Sequence, residues 1–352
     1  MKTQSSHDIR EIFKAYTGIV ETSLREILDT QEDLSLYRHM EYFMGFRDEA
    51  LQTVETYAGK RFRSSMCLML ADWYGCKQEG IPVATSLELF HNFTLIHDDI
   101  VDGDTFRRGR PTVWKLFGHD HAINDGDGQL ILAMKVVADA SALSDALKGN
   151  LQSFLLQQYL RVVEGQHMDF ELTSAQLGDA LVTKERYLKM VGRKTADLIA
   201  AATHSAGMLS KQSTAECEHL YTYGYQLGVA YQLCDDVVSI WGTQAQTGKR
   251  LYGDLLEKKK TLPVLHLLEV GDTQTGKTLL DLYNSDTKLT IDDAQPLIEL
   301  LEKEHVYEYM HEQIQLSAEK AKSAAVQLSC TETQKQTLVD IVDQLLPDIK
   351  KI

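Results

Sequence analysis

Three acidic residues lie close together in Leu95-Ile96-His97-Asp98-Asp99-Ile100-Val101-Asp102. On a helix, Asp98 and Asp102 are one turn apart on the same face. Like charges at that spacing repel, so the helix gains nothing from them unless a cation compensates. Hard carboxylate oxygens with no His-rich set nearby point to Mg²⁺, which keeps waters and is shared with substrate phosphates. An isolated pair of this kind is more often a solvated helix end. Here the apolar Phe93, Leu95 and Ile96 just upstream favour acids that project into a cavity.

Basic groups follow at once. Arg107-Arg108-Gly109-Arg110-Pro111-Thr112 reads as a loop with three guanidinium groups, whose planar donors bind diphosphate oxygens in pairs. A second acidic pair, Asp235-Asp236, ends the apolar helical stretch Gly228–Asp236. Beyond it, Thr247-Gly248-Lys249 and Lys258-Lys259-Lys260-Thr261-Leu262-Pro263 add loop cations, and Gly59-Lys60-Arg61-Phe62-Arg63 adds another cluster near the start. Each alone is ordinary solvated charge. Together they describe two anionic subsites, one metal-bound and one purely basic.

The elements that must position these groups read as helices. No proline lies between Pro111 and Pro263, a span rich in Leu, Ala, Gln, Lys and Glu. Leu227, Tyr231, Cys234 and Val238 recur at helical spacing, as do Leu151, Leu155, Gln158 and Val162. Asp102-Gly103 and Asp125-Gly126-Asp127-Gly128 read as loops between helices. The stretch from Gly271 to Thr290 is more polar than its surroundings, opens on the helix stop Gly271-Asp272 and contains a second loop at Asn284, Ser285 and Asp286. The expectation is a single all-helical domain over 1–352, with a peripheral C-terminal helical layer from about 271.

Composition narrows the class. The net charge of −15 excludes non-specific nucleic-acid binding, which needs basic surface. Five scattered cysteines without CxxC pairs exclude a disulfide framework and a zinc site. No apolar run is long enough to span a bilayer and the N-terminus has no signal-peptide pattern, so a cytoplasmic protein is expected. His119, His121, His167 and His204 show no metal-site spacing and read as structural or surface groups.

The chain resembles the trans-isoprenyl diphosphate synthases of the polyprenyl synthetase family. The likeness runs from about Gly59 to Pro263 and takes in, in order, GKRFR, DDIVD, RRGRPT, Gly165-Gln166 with Asp169, Lys194-Thr195, YQLCDD and KKKTLP. It implies an all-α helical bundle around a deep central cavity, usually as a homodimer. It also implies a head-to-tail condensation of isopentenyl diphosphate with an allylic diphosphate. By the same resemblance, Asp98, Asp99, Asp102, Asp235 and Asp236 ligate Mg²⁺, three ions in all, on the allylic diphosphate. Arg107 and Lys249 grip that diphosphate, with Lys194 beside it. Lys60, Arg63, His91 and Arg108 hold the isopentenyl diphosphate without metal. Thr195 and Gln232 line the reacting carbons, and Lys259 closes over the metal-bound diphosphate.

Two positions depart from the family pattern. Ser239 stands where the second acidic motif has a third Asp, and Ser64 where the first basic motif has a proline. By the same resemblance, product length depends on what floors the cavity below the first motif. Phe93, five before Asp98, and Thr94, four before, place one aromatic side chain a helical turn beneath the acids. This resembles synthases making the C20 geranylgeranyl product, with C15 farnesyl next. Two other classes compete. A class I terpene cyclase has no second substrate and no use for Lys60, Arg63, His91 and Arg108. A non-catalytic partner subunit is suggested only by Ser239.

Overall fold

The computed structural model describes residues 8–54, 59–242 and 252–346. The chain forms two compact units, Met1–Tyr159 with Ala202–Cys217, and Leu160–Ala201 with Glu218–Ile352. Among the described residues the only strands are one short antiparallel pair; the rest of the regular structure is helical. No described helix is long and apolar enough to cross a membrane.

The first unit holds α1 (Ile9–Asp29), α2 (Ser35–Phe43), α3 (Phe62–Trp73), α4 (Lys77–Asp102), α5 (Val113–Phe117), α6 (His119–Ala138) and the start of α7 (Asp145–Ser174). Helix α4 packs against α3 and α6. Its Val83, Leu87 and Phe90 recur at helical spacing and are fully buried, as an amphipathic stripe requires. The helix stops at Gly103, whose left-handed φ of 69° lets its N–H reach the Asp99 carbonyl. The predicted break at Asp102-Gly103 is therefore a helix C-cap.

That ending leaves Asp98, Asp99 and Asp102 in the last turn of α4, at the negative end of the helix dipole. Each carboxylate there is disfavoured by ~0.3–1 kcal/mol relative to a neutral group. Dipole and mutual repulsion act in the same direction, so helix stability gives no reason for these acids.

After Gly103, β1 (Phe106–Arg107) pairs with β2 (Arg110–Pro111) through Phe106↔Pro111 and Arg107↔Arg110. Arg108 and Gly109 form the turn, both with positive φ (54° and 77°), as a tight two-residue hairpin demands. The basic loop read from sequence is thus a hairpin with Arg108 at its tip.

Asp125-Gly126-Asp127-Gly128 is not a loop. It lies inside α6, and its glycines serve packing: a Cβ on Gly126 would lie 2.3 Å from the His97 ring, and one on Gly128 2.5 Å from the Met40 methyl. Removal of two side chains lets α6 approach α4 and α2 closely, and that advantage outweighs the glycine cost in a helix.

The second unit contains the rest of α7, then α8 (Lys184–Val191), a π-helical turn (Gly192–Ala196), the start of α9 (Asp197–Leu209) and most of α10 (Thr214–Trp241). Among the described residues six helices follow: α11 (Gly253–Leu256), α12 (Leu262–Val270), α13 (Thr273–Tyr283), α14 (Ile291–Lys303), α15 (Val306–Gln327) and α16 (Glu332–Leu345). The predicted stop at Gly271-Asp272 both ends α12 and begins α13, because the Asp272 carboxylate accepts the Thr275 N–H. Leu233, Cys234, Val237 and Ile240 of α10 share one apolar cluster with Leu262, Leu297, Leu301, Met310 and Ile314. The five cysteines are free, and four of them are buried.

Candidate active site

In the first unit, cations gather around His91 on α4. The Arg63 guanidinium donates to His91 Nε2 at 3.2 Å. A guanidinium has no lone pair to offer, so Nε2 is the acceptor and the ring proton sits on Nδ1. Burial, then the charges of Arg63, Arg108, Arg107 and Arg61, hold the imidazole well below its ordinary range, so it is neutral. The Arg108 side chain lies over Gly59, where a Cβ would stand 2.8 Å from the guanidinium carbon. GKRFR and RRGRPT are thereby brought into contact. Lys60 is exposed at the edge of this cluster.

Two cations of these motifs are committed to protein partners. The Arg61 side chain is fully buried, donates to Glu88 at 2.8 Å and to the Met44 carbonyl, and lies 3.6 Å from Glu21. Ser64, standing in the family's proline position, donates to Glu88 at 2.8 Å, so the departure completes this buried network. Arg110 is spent on the Tyr42 and Arg47 carbonyls and stacks over the Tyr42 ring at 4.1 Å.

The first acidic set is graded in burial. Asp98 is half-buried, Asp102 exposed and Asp99 only 1% exposed. Asp99 Oδ1 accepts from Arg107 Nε at 2.5 Å, while Oδ2 is buried without a hydrogen-bond partner. Burial pushes the Asp99 carboxyl up to about 6; Arg107 opposes this, and the neighbouring Asp104 and Asp98 add to it. Trp114 Nε1 bonds the carbonyls of Asp99 and Asp104, clamping the helix end to the following hairpin.

In the second unit, Lys194 and Thr195 lie on the π-helical turn, a distortion common at functional sites. Two glycines admit it: a Cβ on Gly165 would lie 2.3 Å from the Lys194 nitrogen, and one on Gly228 2.6 Å from the Ala196 Cα. Lys194 Nζ pairs with Asp169 at 2.5 Å. Thr195 Oγ1 donates to Gln232 Oε1 at 2.9 Å, and Gln232 Nε2 donates to Asp236 Oδ1 at 3.3 Å. Asp236 is 2% exposed and also accepts the Tyr187 hydroxyl. Burial, then Asp254 and Asp235, drive its carboxyl well above the ordinary carboxylate range, against the pull of those two hydrogen bonds. Asp235 is exposed.

Ser239, in the family's third Asp position, accepts the Asp254 backbone N–H at 3.1 Å and so caps α11. Lys259 is half exposed and lies 3.3 Å from Asp254 and 3.0 Å from Glu257. Its neighbours turn to structural work: Lys258 bonds Ser285 and Lys260 the Thr173 carbonyl. Lys249 lies outside the described residues. Tyr187 and Asp254 were not singled out from the sequence, because no spacing pattern marks either one. His119 stacks on Trp114, His121 meets His39 edge-on, His204 stacks on Phe154 and His167 is exposed beside Glu171, as expected of structural and surface groups.

Among the described residues no three His, Cys, Asp or Glu side chains form a ready-made metal cage. The acidic donors are oxygen-only, and Asp99 Oδ2 is a buried oxygen without a partner. Such a set fits Mg²⁺, which takes few protein ligands and completes its shell with water and phosphate oxygens.

A sequence model of the polyprenyl synthetase family matches residues 47–301. The fold agrees: a polyprenyl synthetase from Streptomyces coelicolor superposes with a TM-score of 0.86 at 26% identity, covering 96% of this chain and 100% of the other. A geranylgeranyl pyrophosphate synthetase from the archaeon Geoglobus acetivorans gives 0.79 at 27%, covering 96% and 99%. The architecture is the all-α isoprenoid synthase fold, and the chain belongs to the polyprenyl synthetase family. Among curated relatives, a (2E,6E)-farnesyl diphosphate synthase of Mycobacterium tuberculosis is 33% identical over 81% of this chain and 78% of its own. A geranylgeranyl diphosphate synthase of Saccharolobus solfataricus is 32% identical over 75% and 79%.

Proposed function

We propose that the chain is a Mg²⁺-dependent trans-prenyltransferase that adds isopentenyl diphosphate to an allylic diphosphate. The product is a short-chain prenyl diphosphate, C20 in the main and C15 next. The observation that carries this reading is the cationic cluster of Arg63, Arg107 and Arg108 around a neutral His91, on the same helix as Asp98. A strongly acidic protein concentrates positive charge there, as an anionic second substrate requires. A terpene cyclase has no second substrate and would not need it. Ser239, the one hint of a non-catalytic subunit, has a structural task instead.

In this reading Lys60, Arg63, His91 and Arg108 hold the isopentenyl diphosphate. Asp98, Asp99, Asp102, Asp235 and Asp236 hold Mg²⁺ on the allylic diphosphate, with Arg107, Lys194, Lys249 and Lys259 as its cationic side chains. Mg²⁺, when bound, neutralises charge developing on the departing diphosphate. The allylic C–O bond breaks and its electron pair leaves with the diphosphate. The isopentenyl double bond supplies the pair for the new C–C bond, and the proton lost from the adjacent carbon goes to the released diphosphate. Thr195 and Gln232 line the reacting carbons, where orientation supplies much of the rate. Phe93 floors the apolar path for the growing chain and helps exclude water that would trap the cation.

The family model draws on both units, which supports reading 1–352 as one synthase domain with a C-terminal helical layer from about 271. Exposed Ile123 and Ile131 on α6 support a homodimer, and the reading places the enzyme in the cytoplasm. The test is turnover of the purified chain with labelled isopentenyl diphosphate and C5, C10 or C15 allylic primers. Label in a longer prenyl diphosphate supports the reading. Hydrocarbon from an allylic diphosphate alone, or no turnover, contradicts it.

A further inference from the structure

The π-helical turn that carries Lys194 and Thr195 is gripped at both ends. The Asp197 N–H bonds the Gly192 carbonyl five residues back, one residue further than an α-helix allows. That extra residue turns the two sides of the segment by about 100° relative to an unbroken helix. Such turns are rare, so neighbours must hold this one. One face of α10, with Tyr221, Tyr225, Gly228 and Gln232 at helical spacing, supplies the grip. The Tyr221 hydroxyl donates to Asp197 Oδ1 at 2.5 Å, and a Cβ on Gly192 would lie 2.2 Å from the Tyr225 hydroxyl. The two rings stack at 6.1 Å and 16°. From α7, Arg161 donates to the Tyr221 hydroxyl at 3.1 Å and lies 3.8 Å from Asp197 Oδ1. Further along α7, Glu164 pairs with Arg193 of the turn itself.

Asp197 is 3% exposed, and the residues after it, Leu198, Ile199, Ala200 and Ala201, are apolar and buried. Burial pushes its carboxyl up, against the pull of Tyr221 and Arg161. A buried ion pair is often no more stabilising than apolar side chains of the same volume, so core packing does not account for Asp197. We infer that Asp197, gripped by Tyr221 and Arg161, is a positioning residue that fixes the π-turn so that Thr195 meets Gln232 and Lys194 meets Asp169. This rests on the prenyltransferase reading, in which Thr195 lines the reacting carbons, and adds to it the residues behind the turn. Without the carboxylate, the Tyr221 hydroxyl loses its acceptor on the turn, and the segment is free to relax toward an α-helix.

The experiment is steady-state elongation kinetics on wild type, Asp197→Ala, Asp197→Asn, Tyr221→Phe, Thr195→Val and the doubles D197A/T195V and Y221F/T195V, each assayed where circular dichroism shows it folded. D197A should lower kcat about tenfold and Y221F at least about threefold, with the KM for isopentenyl diphosphate unchanged. D197N keeps an acceptor for the Tyr221 hydroxyl and should stay within about twofold of wild type. T195V should slow wild type about tenfold but slow D197A by less than about twofold, because the threonine is already misplaced there. A merely structural aspartate would lower the unfolding midpoint and leave the cost of T195V the same in both backgrounds. If D197A does not fold, Y221F and Y221F/T195V decide in its place. The inference is overturned if D197A or its substitute keeps the wild-type kcat, if D197N is as slow as D197A, or if the losses multiply in full with that of T195V. A wild-type chain that elongates nothing overturns the prenyltransferase reading itself; a wild type that elongates beside an unimpaired D197A overturns the positioning role alone.

Discussion

The Arg108 guanidinium lies directly over Gly59, where a Cβ would come within 2.8 Å of its central carbon. Gly59 also has a φ of 102°, which disfavours any other residue. Gly59→Ala should therefore displace Arg108 and weaken the proposed metal-free anion site. The expected result is a KM for isopentenyl diphosphate raised about tenfold, ~1.4 kcal/mol of binding, with the KM of the allylic substrate little changed. Steady-state kinetics with each substrate varied in turn checks this.

Tyr187 holds Asp236 through a buried hydrogen bond that no sequence pattern announces. Tyr187→Phe leaves a buried carboxyl with one donor fewer, a change costing about 1–3 kcal/mol of stability. The midpoint of urea unfolding should fall accordingly. Turnover should drop about tenfold through kcat, with the KM for isopentenyl diphosphate unchanged, because the variant touches the second acidic motif alone. Equal loss in both kinetic parameters would point to general disorder instead.

His91 gives a pH dependence with a definite sign. Its folded-state pKa lies well below the ordinary value, so below about 6.5 the unfolded chain takes up a proton that the folded chain refuses. Stability from this group is fully present above that pH and declines by up to about 1.4 kcal/mol per pH unit as pH falls. Wild type should lose about 1 kcal/mol more than His91→Gln between pH 6.5 and 5.5, read from urea unfolding at each pH.

The helical body was legible because its core repeats at 3.6 residues. Leu227 and Cys234 are buried with Tyr231 and Val238 at the margin, and Leu151, Leu155, Gln158 and Val162 are all buried. What was not legible follows from residue types that serve opposite purposes. Arg61 and Arg110 look like their neighbours Arg63 and Arg108, yet the fold spends them on Glu88 and on backbone carbonyls. The glycines of Asp125–Gly128 read as a turn, but close helix packing also selects glycine, and only the three-dimensional neighbours His97 and Met40 separate the two. The π-helical turn at Lys194 is equally silent in sequence, since Gly165 and Gly228 accommodate it from distant positions. Ser239 and Ser64 depart from the family pattern in sequence, and only the fold shows their partners, the Asp254 N–H and Glu88.

The central claim is that two diphosphates bind by different physics, one through carboxylate-held Mg²⁺ and one through cations alone. Calorimetric titration of wild type, Asp98→Asn and Asp235→Asn measures this directly, using isopentenyl diphosphate and a non-ionisable allylic thiolodiphosphate, with Mg²⁺ or with EDTA. Allylic analogue binding should weaken about 100-fold, ~2.8 kcal/mol, in EDTA and comparably in either variant, while isopentenyl diphosphate binding should change less than about twofold. Equal metal dependence of both ligands, or full allylic affinity in Asp98→Asn and Asp235→Asn, would contradict the account.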